Sequence, residues 1–165
     1  VLPGDISRFA TLGVIPSMQP HHKADDGRYA EARIGPERVL TSYAFRSLLD
    51  SGAALAFGSD WPVATLSPVA GIDAAVNART LAGDGWLPSH SLTVEEALRA
   101  YTVWPPKAVF RDNDLGTIEV GKLADIVVLE DDILTIPKEK VKDVRVAYTI
   151  VGGRVVFSSQ DGEKP

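Results

Sequence analysis

The first sixty residues alternate between two hydrophobic patterns. Residues 5–12 and the segment that starts at Pro36 carry apolar side chains at helical spacing, and they end at Gly13 and Gly52. A strand-like segment follows each helix, at residues 14–19 and 53–57, and the second of these is apolar throughout. A strand in a parallel sheet is buried on both faces, so a continuous apolar run is typical of it. The pattern predicts consecutive helix and strand units of an α/β fold.

Two more helices are predicted in the middle of the chain. Helical spacing runs from Gly71 to about Thr80, and Thr93 with Glu96 forms a capping box at the start of the second helix. The second helix carries a buried stripe and is expected to end before a pair of prolines, after which a short turn could begin. The stripe is Val94, Ala97, Leu98 and Tyr101, and the prolines are Pro105 and Pro106.

From Gly116 the chain changes to a β pattern. Segments rich in β-branched residues lie between Gly, Asp and Pro, which predicts strands at residues 117–120, 126–129, 144–151 and 154–157. Gly152 and Gly153 can both adopt positive φ, as a two-residue hairpin turn requires. The polar segment 159–165 is expected to be a frayed tail.

Composition narrows the classes of partner. The net charge of −5, with basic residues scattered among acids, provides no basic stripe for nucleic acid. No run approaches the roughly 20 apolar residues that span a bilayer, and the first residues do not resemble a signal peptide, so we expect a cytoplasmic protein. Because the sequence contains no Cys, a bound metal would require His or carboxylate ligands.

Candidate chemistry follows the two predicted strands of the first part. Asp60 comes directly after the buried strand, and Gln19 and His22 follow the other strand, so they would share the ligand-binding edge of a parallel sheet. Trp61 adjoins Asp60. The alternatives stay open, because a Ser-Asp pair can simply cap a turn, two His and a Lys can form a solvated loop, and a Trp can pack in the core. Adjacent His21 and His22 would point to opposite sides of an extended segment, and His90 is expected at the surface.

Several stretches together resemble the C-terminal part of amidohydrolase-superfamily enzymes, in the branch of metal-dependent hydrolases that includes N-substituted formamide deformylase. The most specific stretch is residues 116–129, which is similar to the signature of a small β-sandwich beside the barrel. The other stretches are residues 8–9 with 13–15, 17–20 with His22, 35–38, 56–60 with Pro62, and 93–101.

The resemblance implies a (β/α)₈ TIM-type barrel flanked by a β-sandwich. Residues 14–19 and 53–59 would be the seventh and eighth barrel strands, residues 1–114 the barrel portion, residues 115–158 the sandwich portion and residues 159–165 the tail. Asp60 would bind the catalytic divalent metal, Zn²⁺ foremost, and act as general base. His22 would contact the substrate or polarise its carbonyl, with Gln19 and Trp61 as further substrate contacts.

The same resemblance implies that the chain is a fragment. The family's His-x-His pair, bridging ligand and two further His have no counterparts here, and a closed barrel needs about 250 residues. One carboxylate and one His do not complete a four-coordinate site, so the chain alone should not hold a metal. Two functions stay open: part of a hydrolase of amide, formamide or cyclic amide C–N bonds, or a non-catalytic assembly domain. Exposed barrel edges would make the chain dock on the N-terminal part of the barrel or form a homo-oligomer.

Overall fold

A computed structural model describes residues 1–160 of the chain. Eight short helices lie in the first two thirds of this range: α1 (Ile6–Thr11), α2 (Pro20–Asp26), α3 (Ala30–Ile34), α4 (Pro36–Val39), α5 (Phe45–Asp50), α6 (Pro68–Asn77), α7 (Val94–Tyr101) and α8 (Pro105–Ala108). The strands are β1 (Ser17–Met18), β2 (Ala56–Phe57), β3 (Ile126–Leu129), β4 (Val146–Val151) and β5 (Arg154–Ser158). Turns of 3₁₀ helix occupy Pro3–Asp5, Pro88–His90 and Lys138–Asp143.

Strands β1 and β2 form a parallel pair that positions the candidate site. Ser17 lies opposite Ala56 and Met18 opposite Phe57. The pairing continues through two flanking hydrogen bonds, from Ala56 N–H to the Pro16 carbonyl and from Gly58 N–H to the Met18 carbonyl. Both strands are shorter than predicted, because a continuous apolar run reports burial and does not fix the length of a hydrogen-bonded ladder.

The helix predicted from Pro36 to Gly52 is wrong as a single element. The structure divides it into α4 and α5, with a turn at residues 40–44 in which Tyr43 has a φ of +49°. Helical spacing on both sides concealed this turn, because each half buries its own apolar face. Two helices were also missed: α2 begins at Pro20, at a position where proline fits a helix start, and α3 follows it.

The helices predicted after residue 60 from local sequence signals agree better with the structure. The capping box of α7 is confirmed, with the Thr93 hydroxyl accepting from Glu96 N–H and the Glu96 carboxylate accepting from Thr93 N–H. Arg46 of α5 donates to the same carboxylate and so joins α5 to α7. Helix α6 begins at Pro68, three residues before the predicted start, with Ser67 as its cap. The predicted short turn after Pro105 is α8.

Phe45 lies at the centre of the hydrophobic core. It is fully buried, and its ring packs edge to face with Tyr43 at 6.1 Å and Phe57 at 5.1 Å between centroids. The cluster also includes Leu48, Leu55, Ile72, Ala75, Leu92, Ala97, Ile133, Val141 and Val144. Helices α6 and α7 pack closely, since a Cβ at Gly71 would lie 1.8 Å from the Tyr101 hydroxyl oxygen. The core therefore unites both ends of the chain around α5 and β2.

Strands β3, β4 and β5 form an antiparallel sheet in that order. The predicted hairpin is confirmed: Gly152 and Gly153 have φ of +56° and +78°, and the Asp125 carboxylate accepts from Gly152 N–H. The strand predicted at residues 117–120 is wrong, because this segment has no strand partner among residues 1–160 and its Ile118 side chain is 85% exposed. Hydrophobic residues without a neighbouring ladder do not form a strand.

The division into portions at residues 114 and 158 stays a prediction. Residues 161–165 of the predicted tail lie outside the described residues. Within residues 1–160, no helix has the length and apolar character that crossing a bilayer requires.

Candidate active site

Asp60 lies three residues beyond the end of β2, after Gly58 and Ser59. Its backbone is left-handed, with φ of +57°, and its carbonyl accepts from Val63 N–H at 2.8 Å. Aspartate tolerates this conformation better than most residues. The segment is therefore a turn, in agreement with the alternative that the Ser-Asp pair belongs to a turn. The Asp60 side chain, however, is 53% exposed and makes no hydrogen bond among residues 1–160. Because the Asp60 carboxylate accepts no capping hydrogen bond within residues 1–160, it is available to bind a ligand.

His22 lies in the first turn of α2, directly after β1. Its Nε2 atom is 3.9 Å from Asp60 Oδ2, so the structure brings together the polar residues that follow the two strands. The segment was expected to be extended and is helical, so the argument that His21 and His22 point to opposite sides is wrong; adjacent side chains on a helix diverge by about 100°.

The His22 Nε2 atom is buried and has no hydrogen-bond partner among residues 1–160. Its distance to Asp60 exceeds that of a direct hydrogen bond. Leaving a buried ring nitrogen unpaired is costly, and buried polar groups usually have a partner. The two atoms are separated by a distance that a third atom, bound to both, could bridge.

Gln19 and Trp61 flank these two residues. Gln19 is half-buried at the residue before α2, and its backbone carbonyl accepts from His22 N–H at 3.1 Å. Trp61 is 62% exposed, which excludes core packing in this chain. Among residues 1–160, no side-chain hydrogen bond joins Gln19 or Trp61 to His22 or Asp60. Their roles as substrate contacts stay predictions.

The alternative in which Lys23 belongs to a solvated loop is wrong. The side chain is 1% exposed, its ammonium group donates to the Leu87 carbonyl at 3.3 Å, and it lies 6.0 Å from the centroid of the Phe45 ring. Burial lowers the pKa of Lys23 to about 8. A helix starting at Pro20 would have revealed this, because Pro20, Lys23 and Ala24 share its buried face.

His90 was expected at the surface and is instead buried. Its Nε2 atom lies 2.8 Å from the Leu40 carbonyl oxygen, at the end of α4. The ring therefore satisfies a backbone acceptor that water would otherwise bind. The polar sequence around His90 carries no signal of this long-range contact.

His22 and Asp60 provide types of donor atom that bind metals, but two donors do not complete a four-coordinate metal site. Zn²⁺ accepts imidazole nitrogen and carboxylate oxygen, which are the groups that His22 and Asp60 place together. No cluster of three or more His, Asp or Glu suitable for a metal occurs within residues 1–160. Asp60 is the better donor of the two, because its carboxylate is accessible.

The sequence as a whole matches the model of the amidohydrolase family over residues 2–157. The chain belongs to the amidohydrolase family. This confirms the resemblance that the motifs indicated. The match covers both the helical part and the C-terminal sheet.

This amidohydrolase chain is similar in sequence to two curated relatives that carry different names. It is 40% identical over 159 residues to Protein LONG AFTER FAR-RED 3 of Arabidopsis thaliana, covering 94% of this chain and 27% of that protein. It is 36% identical over 114 residues to N-substituted formamide deformylase of Arthrobacter pascens, covering 69% of this chain and 21% of that enzyme. The chain thus spans only 27% and 21% of the lengths of these two relatives.

A solved structure agrees with the fold of the amidohydrolase chain. An uncharacterized metal-dependent hydrolase from Pyrococcus horikoshii OT3 superposes with a TM-score of 0.73 at 29% identity, covering 84% of this chain and 29% of that one. The expected mixed α/β fold is confirmed. The assignment of β1 and β2 to barrel strands seven and eight, and of β3 to β5 to a sandwich, stays a prediction.

Proposed function

We propose that the full-length protein containing this chain is a metal-dependent amidohydrolase that hydrolyses the C–N bond of an amide, formamide or cyclic amide. In this proposal Asp60 is both a metal ligand and the general base. The observation that carries it is the 3.9 Å approach of the exposed Asp60 carboxylate to the buried, unpaired His22 Nε2 atom. Support comes from the family match and from a relative named as a formamide deformylase.

Each residue has a distinct role in the reaction. When held by Asp60 and by ligands from outside this chain, a divalent metal, Zn²⁺ foremost, would supply a water of lowered pKa and would polarise the substrate carbonyl. Asp60 accepts a proton as the water oxygen attacks the carbonyl carbon, and it delivers that proton to the nitrogen as the C–N bond breaks. His22, with a proton on Nε2, donates a hydrogen bond to the developing oxyanion. The products are a carboxylic acid and an amine.

Gln19 and Trp61 complete the proposed substrate contacts. Gln19 offers an amide that can donate and accept beside His22, and Trp61 offers an exposed apolar ring beside Asp60. An amide substrate presents both a polar group and an apolar substituent. The remaining metal ligands would come from the N-terminal part of the barrel, which lies outside this chain.

Exposed apolar side chains support the second candidate, a non-catalytic assembly domain. Val155, Val156 and Phe157 of β5 are exposed, and β5 is an edge strand of its sheet. Such an edge is suited to pairing with a second copy or with the N-terminal part of the barrel. An assembly domain would show this pairing without metal-dependent turnover.

Metal removal distinguishes the two candidates. We expect chelation of the full-length protein to lower hydrolysis of a panel of formamides, amides and cyclic amides by on the order of 10³-fold, because the metal contributes several kcal/mol to transition-state stabilisation. Adding back Zn²⁺ should restore turnover. Protein dialysed without chelator is the control, and hydrolysis that survives complete metal removal would refute the proposal.

A further inference from the structure

Asp26 ends α2 one helical turn after His22. Its carboxylate accepts two phenol hydroxyls, one on each oxygen. Tyr29 donates to Oδ1 at 2.5 Å and Tyr43 donates to Oδ2 at 2.5 Å.

Both tyrosines remain donors at neutral pH. Burial and then the hydrogen bond to Asp26 raise the pKa of Tyr43 well above its usual range. The hydrogen bond to Asp26 is also the main cause that raises the pKa of Tyr29. With a phenol proton on each oxygen, the Asp26 carboxylate is engaged by protein groups and is poorly suited to serve as a metal ligand.

The Tyr43 side chain connects Asp26 to the hydrophobic core. The Tyr43 ring is half-buried and packs edge to face with Phe45 at 6.1 Å and with Trp86 at 6.0 Å. Tyr29, in contrast, is exposed. The hydrogen bond from Tyr43 therefore ties the end of α2 to the core, whereas that from Tyr29 stays at the surface.

Helix α2 depends on such anchors for its orientation. It has seven residues, and helices this short are not stable by propensity alone. Lys23 attaches its middle to the Leu87 carbonyl, and Asp26 attaches its end to Tyr43. His22 lies on the same short rigid segment, so a change at either anchor would rotate or shift its imidazole.

We propose that Asp26, through the Tyr43 hydroxyl, is a positioning residue that holds α2 at the angle that places His22 Nε2 against Asp60. This inference rests on the proposed function, because its effect on turnover passes through His22. Asp26 itself touches neither substrate nor metal. Outer-shell residues that orient a functional group typically contribute about 10-fold to 100-fold to activity.

The test uses full-length protein and two variants, Asp26→Ala and Tyr43→Phe. Each is expected to lower kcat by about 10-fold to 100-fold with KM changed by less than about threefold. Metal content, measured by mass spectrometry, should stay at the wild-type value. The matched control is Asp25→Ala, which removes a neighbouring carboxylate of α2 that, within residues 1–160, pairs only with exposed Arg28, and which should leave kcat within about twofold.

A double-mutant cycle separates positioning from general destabilisation. In a His22→Ala background, Asp26→Ala should lower kcat by less than about twofold, because the residue through which it acts is absent. A full additional loss in that background, or a wild-type kcat in Asp26→Ala alone, would overturn the inference. If Asp60→Ala is inactive while the cycle is additive, only this inference fails. If Asp60→Ala keeps its turnover, the proposed function fails, and this inference with it.

Discussion

Replacing Asp60 with alanine is expected to lower the kcat of the full-length protein by about 10³-fold or more. The substitution removes the proposed general base and a metal ligand together, and loss of a general base alone costs about 10²-fold to 10⁴-fold. The fold should be retained, because the Asp60 side chain is half exposed and forms no hydrogen bond within residues 1–160; alanine fits the left-handed backbone at this position less well than aspartate, at a cost of about 1 kcal/mol. Steady-state kinetics on the substrate panel, with circular dichroism to verify folding, measures both effects.

Asp50→Ala is the matched control for this prediction. Asp50 ends α5 shortly before β2 and is also exposed, but its carboxylate pairs with Arg46. Loss of an exposed ion pair costs about 0 to 1 kcal/mol and should leave kcat within about twofold. A near-normal kcat in Asp60→Ala would refute the assignment of Asp60.

Phe45→Ala is expected to destabilise the fold by about 3 to 5 kcal/mol, the range for removing a fully buried aromatic ring. Phe45 is fully buried, and its ring contacts Tyr43 and Phe57. The Phe45 ring also lies 6.0 Å from the Lys23 ammonium group, so removing the ring would leave a cavity beside a buried cation. Because a domain this size is stable by about 5 to 15 kcal/mol, much of the stability would be lost.

Thermal unfolding of the 165-residue chain, followed by circular dichroism, measures this loss. Phe110→Ala provides the control, since the Phe110 side chain is 92% exposed in the same chain and its removal should change stability by less than about 0.5 kcal/mol. Equal effects of the two substitutions would contradict the central position of Phe45 in the core.

The sequence predicted those elements whose signals are local. The capping box at Thr93 and Glu96 and the hairpin at Gly152 and Gly153 each depend on a few adjacent residues, and the structure contains both. The apolar run before Asp60 was correctly identified as buried, since Leu55, Ala56 and Phe57 all lie in the interior. Such features depend little on the rest of the fold.

Elements that depend on distant partners were predicted less well. The break between α4 and α5 accompanies the Tyr43 turn, which is joined to Asp26 seventeen residues earlier. The segment 117–120 has strand-like composition but no ladder partner within residues 1–160. Neither outcome is encoded in hydrophobic spacing, because spacing identifies a buried face without identifying what covers it.

The candidate site shows the same division. Asp60 and His22 were predicted to lie at one edge of the sheet because they follow two strands, and the structure places them 3.9 Å apart. His90 was expected at the surface and a solvated Lys23 was one open alternative, yet both side chains are buried, and each pairs with a carbonyl distant in the sequence, at Leu40 and Leu87 respectively. A polar residue gives no local indication that a distant carbonyl will pair with it.

The most direct test of the Asp60 assignment is a crystal structure of the full-length protein with anomalous diffraction data collected at the zinc absorption edge. We expect an anomalous peak about 2.0 to 2.2 Å from an Asp60 carboxylate oxygen, with further ligands from outside this chain. A metal bound elsewhere, with the Asp60 carboxylate bonded only to protein groups, would contradict it.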